Sequence, residues 1–491
     1  MWFLSKKYKL FILLGLVAYL GTSCQKDQIA PANQSTAFVK YYGHIADQAA
    51  SDVIQTQDGG YLLVGATNSY IDAAESDVFV VKTDSLGNEM WSSSFGKIDG
   101  EVGTSYMRYD EEGIRIIELP DASAYIVVAN RTYVAYPDGS SLLGVRGQTR
   151  IAMYSLDPAT GAPTSSEGTE LRTGIGSTHT DKVSDMKLDS TGGSYKYVLT
   201  GYTTNLSTNK PADIDHGAYD KTDILTILLE ADFSEVWATG TTAYGFNGED
   251  YGTSVQMLPN AYLVCGTIEE REANSSPSRF YSRLVAVKMR KDNGVPTNPE
   301  YFGDENYNFE GGHSTYDAEN GKITIAAGVK GGSNTNKGYL VLLQLDESLN
   351  AITPNGVDFS CRYYNLSNEN SASETTPYIA ESIAFLPDNE GFIVSSTYKK
   401  TQLESTICIA KFDANLDVVT GGWPFSFGHE DAAGFLVTQD IGGTVLPISE
   451  SVSGTSQTKL AGYVFTGTFG LATTNKMIGL VKLNLDGTFQ P

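Results

Sequence analysis

One unit recurs from residue 38 to the end of this 491-residue chain, and a period in this range confines the fold to an array of supersecondary units. Its clearest copy reads Asp58-Gly59-Gly60-Tyr61-Leu62-Leu63-Val64-Gly65. About twenty residues on comes the run Asp77-Val78-Phe79-Val80-Val81-Lys82-Thr83-Asp84, closing on Asn88 and Trp91. Each unit holds an apolar run, a small residue, a second apolar run ending in an Asx turn, and usually a short aromatic strand. Short strands with turn signals at even spacing predict an all-β barrel, sandwich or propeller.

The small residue recurs as Gly65, Ala129, Gly201, Gly266, Gly328, Ser395 and Gly467. Glycine weakens a strand unless another backbone approaches closely, so its repetition implies crowding of the kind found near the innermost strands of a propeller. The Asx turn recurs as Asp84, Asp157, Asp232, Asp346, Asp413 and Asn484, with Arg290 at the aligned place in the fourth unit. Such side chains accept hydrogen bonds from backbone two residues on, so these positions are read as turn chemistry.

Seven such units predict a seven-bladed β-propeller of four-stranded antiparallel blades. The last unit ends at Pro491 without a fourth strand, while the orphan segment Phe38-Val39-Lys40-Tyr41-Tyr42-Gly43 precedes the first and matches Trp91 to Gly96. That N-terminal strand is expected to complete the last blade and leave no open sheet edge. The pattern resembles the repeats of secreted bacterial β-propeller lipoproteins, whose blades read roughly DGGYxxxGxT, then DxxxxKxDxxGNxxWxxxFG. The likeness implies the fold; propellers host unrelated functions, so it implies no reaction.

Lys6, Lys7 and Lys9, the apolar run Leu10 to Leu20 and Gly21-Thr22-Ser23-Cys24 form a secretory signal. The last four residues resemble the lipobox of bacterial lipoproteins, with Gly21 standing where leucine is usual. The resemblance implies lipidation of Cys24 and membrane attachment through that lipid alone. Gln25-Lys26-Asp27 resembles the segment that directs some lipoproteins to the cell surface, so an outer-membrane location on the cell surface is expected, with the periplasmic side as the alternative. The expected layout is a signal peptide at 1–23, a flexible tether at 24–36 and the propeller at 37–491.

Cys265, Cys361 and Cys408 are an odd set once Cys24 is acylated, so buried free thiols are expected. The net charge of −24, more negative still after loss of the basic leader, repels phosphate backbones and argues against nucleic acid as a partner. A monomer is expected.

Counting back from the innermost strands places Glu101, Asp181, Asp250, Glu310 and Glu430 around one mouth of the ring, with Gln48 and Tyr378 in the other units. Carboxylates there can accept backbone N–H bonds, or their mutual repulsion can recruit a cation. Calcium, which takes six to eight oxygens, is the candidate ion, although no DxDxDG-type loop supplies ligands; no other cofactor is expected. The long connections 130–149, 204–221 and 268–283 are assigned to the same face and carry Tyr133, Tyr136, Tyr219, Phe280 and Tyr281. Aromatic side chains on adjacent insertions suit an adhesive surface for a glycan or a protein.

Catalytic signatures are missing. Asp84 and Gly87 lie three apart, which fails the SxDxGxTW Asp-box, and only Asp157-Pro158-Ala159-Thr160-Gly161 resembles a quinoprotein turn. The tryptophans Trp91, Trp237 and Trp423 are read as packing between blades. The expected function is a binding or scaffold module. The alternative is a carbohydrate-active or quinoprotein-like enzyme using the mouth acids, because dispersed carboxylate pairs leave no linear spacing.

Overall fold

The computed structural model describes residues 37–488, apart from 44–45, 69–75, 100–106, 136–144, 172–178, 205–220, 238–242, 247, 272–279, 304–306, 332–337, 353–360, 365, 367–377, 400–403, 429–438, 452–457 and 473–474. The Cys24 assignment and the tether lie outside the described residues.

The chain forms seven antiparallel sheets in a ring. It starts with β1 (Phe38–Tyr42). The first blade is β2 (Gln48–Gln55), β3 (Tyr61–Thr67), β4 (Asp77–Thr83) and β5 (Glu89–Phe95). The second is β6 (Ile98–Asp99), β7 (Met107–Glu118), β8 (Tyr125–Ala135), β9 (Val145–Leu156) and β10 (Thr169–Glu170). The third is β11 (Asp181–Asp189), β12 (Lys196–Thr203), β13 (Asp223–Glu230) and β14 (Ala243–Tyr244). The fourth is β15 (Tyr251–Met257), β16 (Ala261–Arg271), β17 (Phe280–Arg290) and β18 (Pro296–Phe302). The fifth is β19 (Tyr307–Asp317), β20 (Lys322–Gly331), β21 (Gly338–Asp346) and β22 (Arg362–Tyr364). The sixth is β23 (Tyr378–Leu386), β24 (Gly391–Lys399), β25 (Ser405–Phe412) and β26 (Phe425–Phe427). The seventh is β27 (Ile441–Ser451), β28 (Thr458–Ala472) and β29 (Asn475–Leu483), completed by β1. The expected four-stranded blades are present, and the second adds β6 against the start of its inner strand, where Asp99 pairs with Met107.

β1 closes the ring, with Phe38 opposite Lys482 and Tyr42 opposite Ile478. The Tyr42 hydroxyl donates to the Gly87 carbonyl at 2.7 Å, fastening the seventh blade to the first. The Phe38 ring lies against Gly87, whose φ of +74° and lack of a Cβ make room for it. This contact repeats the arrangement of Trp91 on Gly161, Trp237 on Gly294 and Trp423 on Gly487, each joining an outer strand to the turn of the following blade. The tryptophans therefore pack between blades, as expected.

Seven apolar clusters, one for each pair of neighbouring blades, make up the core. Strands β3, β4, β13 and β21 are almost continuous apolar runs because blades cover both of their faces. Cys265, Cys361 and Cys408 are buried thiols that form no disulfide among the described residues, and burial pushes the Cys265 and Cys408 thiols up to about 12.

The Asx turns form as read. Asp84 accepts from the N–H groups of Leu86 and Asn88, Asp346 from Ser348 and Asn350, and Asp413 from Asn415 and Asp417. In the third blade the turn instead starts at Glu230, whose N–H and carbonyl close it, and Asp232 caps Ser234 two residues on. The crowded small residue lies on the second strand of each blade, opposite the inner strand rather than on it. A Cβ on Gly65 would stand 1.8 Å from the Ala49 carbonyl oxygen, and one on Gly201 1.9 Å from that of Lys182. In the fifth and sixth blades the residues in this register are Ala327 and Ser396, one position from the Gly328 and Ser395 read from sequence.

A polar cavity in the central channel as the candidate functional site

Each inner strand carries a bulge just past its first few residues. A bulge inserts an unpaired residue and re-aims the side chains after it. The first residue beyond it is Asp52, Arg115, Asp185, Ser254, His313 or Ser382, and Thr444 is itself part of the bulge in the seventh blade. These side chains form a polar belt in the channel. Thr444 donates to Asp52 at 2.6 Å, and the other Asp52 oxygen accepts the Ile116 N–H at 3.1 Å. Arg115 Nε donates to Asp185 at 2.9 Å, and the other Asp185 oxygen accepts the Val255 N–H at 2.9 Å. Ser254 bonds the Gly312 carbonyl and the Ser314 hydroxyl, both at 2.8 Å, and Ser382 accepts the Val445 N–H at 3.0 Å. Every bond crosses from one blade to the next, so the belt is part of what holds the ring closed.

On one side of the belt lies a cavity of about 670 Å³. Its wall runs from the belt to the ends of the inner strands, over residues 52–55 and 57, 115–118, 185–188, 254 and 256, 313–315, 382–385 and 444–446. No residue preceding a bulge lines it. The cavity therefore occupies the half of the channel toward the hairpins that join first to second strands, opposite the face expected from sequence. Its chemistry is mixed: Ile54, Ile117, Ala384, Phe385 and Leu446 supply apolar wall, while Gln55, Lys187, Gln256 and Thr315 supply polar groups.

Burial opposes ionisation of Asp185, but Lys187 and Arg115 outweigh it and hold the carboxyl below the usual carboxylate range. Burial, helped by Arg115, pulls His313 down to about 4, so its imidazole is neutral at physiological pH. On the far side of the belt, burial pushes Glu381 up to about 7, against a 2.6 Å hydrogen bond from Thr397. The charges of Lys399 and Arg115 also favour its ionised form, while Glu310 adds to the upward shift.

The expected mouth acids do not form one ring. Glu101 and Glu430 lie outside the described residues. In the register of Asp181 and Asp250 the structure places Gln48, Glu111, Phe309, Tyr378 and Asp440, all buried. Glu310 stands one position further along its strand and is exposed. The buried acids are occupied by the scaffold. Asp250 accepts the backbone N–H of Glu269 at 2.8 Å and that of Phe246. Asp440 accepts the Gly470 N–H at 2.8 Å, and Glu111 takes the Lys97 N–H at 3.0 Å and Arg131 Nε at 2.6 Å. Among the described residues no cluster of three or more His, Cys, Asp or Glu side chains could hold a metal ion.

The aromatic candidates divide similarly. Tyr136 and Tyr219 lie outside the described residues. Tyr133, Phe280 and Tyr281 sit on paired strands rather than in loops, because β8–β9 and β16–β17 run on past the blade as long hairpins. The Tyr133 hydroxyl donates to Glu170 at 2.9 Å and that of Tyr281 to Glu270 at 2.6 Å. Sequence reasoning missed the belt because its residue types vary around the ring, with an aspartate in two blades, a serine in two, and an arginine, a histidine and a threonine in one each. The one available signal was a polar residue interrupting each inner strand at the same distance from its hairpin.

No protein-family model matches the chain, and no curated protein matches it. Among solved structures it is similar to an apocarotenoid oxygenase mutant from Synechocystis, with 11% identity over 90% of this chain and 94% of that one, TM-score 0.42. It is also similar to a neuraminidase-like protein of a flat-faced bat isolate from Peru, with 12% identity over 74% of this chain and 86% of that one, TM-score 0.36. At these identities and scores the likeness concerns the fold alone, and no residue role or activity is carried across. The chain is an all-β, seven-bladed propeller.

Proposed function

We propose that this chain is a lipid-anchored, outer-membrane propeller at the cell surface that binds the end of a glycan in its central cavity. The single observation that carries the binding part is the cavity of about 670 Å³ beside the belt, a volume within the roughly 300–1,000 Å³ of ligand sites. Amide, hydroxyl and ammonium groups around an aliphatic wall suit a polyol that is narrow enough to enter a channel, whereas a folded protein surface is not. The Cys24 lipidation motif supports the anchoring.

An enzyme using the cavity carboxylates is less well supported. Of the three carboxylates in the wall, Asp52 and Asp185 each spend both oxygens on belt partners, Asp185 is held ionised, and Glu118 accepts the Gln57 N–H at 2.8 Å, so each is already engaged by the scaffold.

A glycan array and envelope pull-down with the full chain in detergent, scored for retention and for product release, tests the proposal. Retention of saccharides without turnover, reduced by Gln256→Ala, supports it. Retention of proteins alone, or turnover, overturns it.

A further inference from the structure

Hydrogen-bonding capacity in the cavity is unevenly spent. Arg115 uses Nε on Asp185 at 2.9 Å and Nη1 on the Ile114 carbonyl at 3.1 Å, and among the described residues Nη2 has no partner. Arg115 nonetheless lines the cavity, and its side chain is only 16% exposed. Lys187 lies two positions past Asp185 on the adjacent inner strand, lines the same cavity, and makes no ion pair or hydrogen bond among the described residues. It is near enough to act electrostatically on both Asp185 and His313. His313 has no hydrogen bond there either, and as a neutral imidazole it keeps one N–H to give. Beside the belt the carboxylates are in the opposite condition, because every oxygen of Asp52 and Asp185 already accepts a bond, while the third acid of the wall, Glu118 at the end of β7, accepts the Gln57 N–H at 2.8 Å through one oxygen. Next to the belt the cavity thus presents donors not yet used, two of them cationic, on Arg115, Lys187 and His313.

From this imbalance we infer that the ligand bears a carboxylate, held by Arg115 Nη2 and Lys187 Nζ, which makes it an acidic saccharide rather than a neutral one. A carboxylate accepts at two oxygens and donates nothing, which complements a guanidinium edge beside an ammonium. A neutral sugar hydroxyl brings a donor that neither cation can use. The inference rests on the cavity being the binding site.

The test is calorimetry on the full chain in detergent with a panel of uronic-acid-terminated disaccharides, each paired with its neutral counterpart. The acid member of at least one pair should bind about tenfold tighter than the neutral one, the scale of one charge-assisted pair. Lys187→Gln, at a partly exposed position outside the belt, should cut that preference to about twofold while leaving the melting temperature unchanged. Equal affinity for both members overturns the carboxylate inference and leaves the binding reading standing. A preference that survives Lys187→Gln overturns the residue assignment. Binding by no member of either class overturns both.

Discussion

Asp250 separates a structural from a functional reading of the acids at the start of the inner strands. It is fully buried and accepts two backbone N–H groups, from Glu269 at the edge of β16 and from Phe246 in the link between blades. Asp250→Ala would leave both donors without that acceptor. A buried donor stripped of its partner costs about 1–3 kcal/mol, so the pair amounts to about 4 kcal/mol. Asp250→Asn keeps one acceptor oxygen and sets an NH₂ against the other N–H, for a loss of about 2 kcal/mol. The assay is urea unfolding followed by tryptophan fluorescence, with calorimetric melting as a second probe. The expected order of midpoints is wild type, Asn, Ala, with saccharide binding by the surviving folded fraction unchanged. An acid placed for function predicts the reverse, since neutralising it typically leaves stability level or raises it while abolishing the activity. Wild-type midpoints for Asp250→Ala together with lost binding would refute the structural reading.

Removing residues 37–43 takes away the five-residue β1–β29 ladder and should cost on the order of 5 kcal/mol at about 1 kcal/mol per bond, with concentration-dependent aggregation by light scattering from the exposed edge. Glu381 has a folded pKa raised to about 7, above the unfolded value of 4.5, so its contribution to stability is complete below the unfolded value and fades as pH rises through 7. Because the group is partly open to the channel, wild type should lose about 1–2 kcal/mol between pH 5 and 8 that Glu381→Gln does not, read from paired denaturation curves. Gly161→Val puts a side chain 2.3 Å from the Trp91 ring at a φ of +70° and should lower stability by about 3 kcal/mol, visible in the near-UV circular dichroism of tryptophan. Cys24→Ser should release the protein from membranes in a carbonate wash, and continued detergent dependence would count against the anchor.

The blade count and the closing strand were legible because both depend on local signals that recur along the chain: apolar runs and a small residue in all seven units, and an Asx turn in six. Phe38 could be matched to Trp91 because both fill the same slot over a turn glycine. The site was not legible for the opposite reason. Asp52, Arg115, Asp185, Ser254, His313, Ser382 and Thr444 share a place in the fold but range from carboxylate to guanidinium to hydroxyl, so aligning the units hides them. Three of the seven counted mouth positions missed the register because the links between blades vary in length: Glu101, Glu310 and Glu430 were chosen where Glu111, Phe309 and Asp440 hold it. Asp232 stood in for Glu230 because an Asx cap two residues into a turn looks the same in sequence as one at its start.

The closing strand also decides at which end of the ring the chain enters the propeller. Phe38 begins β1 beside Lys482, at the end of the ring where third strands turn into fourth, and this is the end where inner strands turn into second strands. The cavity opens toward that same end. If Cys24 carries the lipid, the twelve residues 25–36 span at most roughly 40 Å when fully extended. Tether and cavity mouth then share one end of the ring, which brings material attached to the cell's own envelope within reach of the mouth.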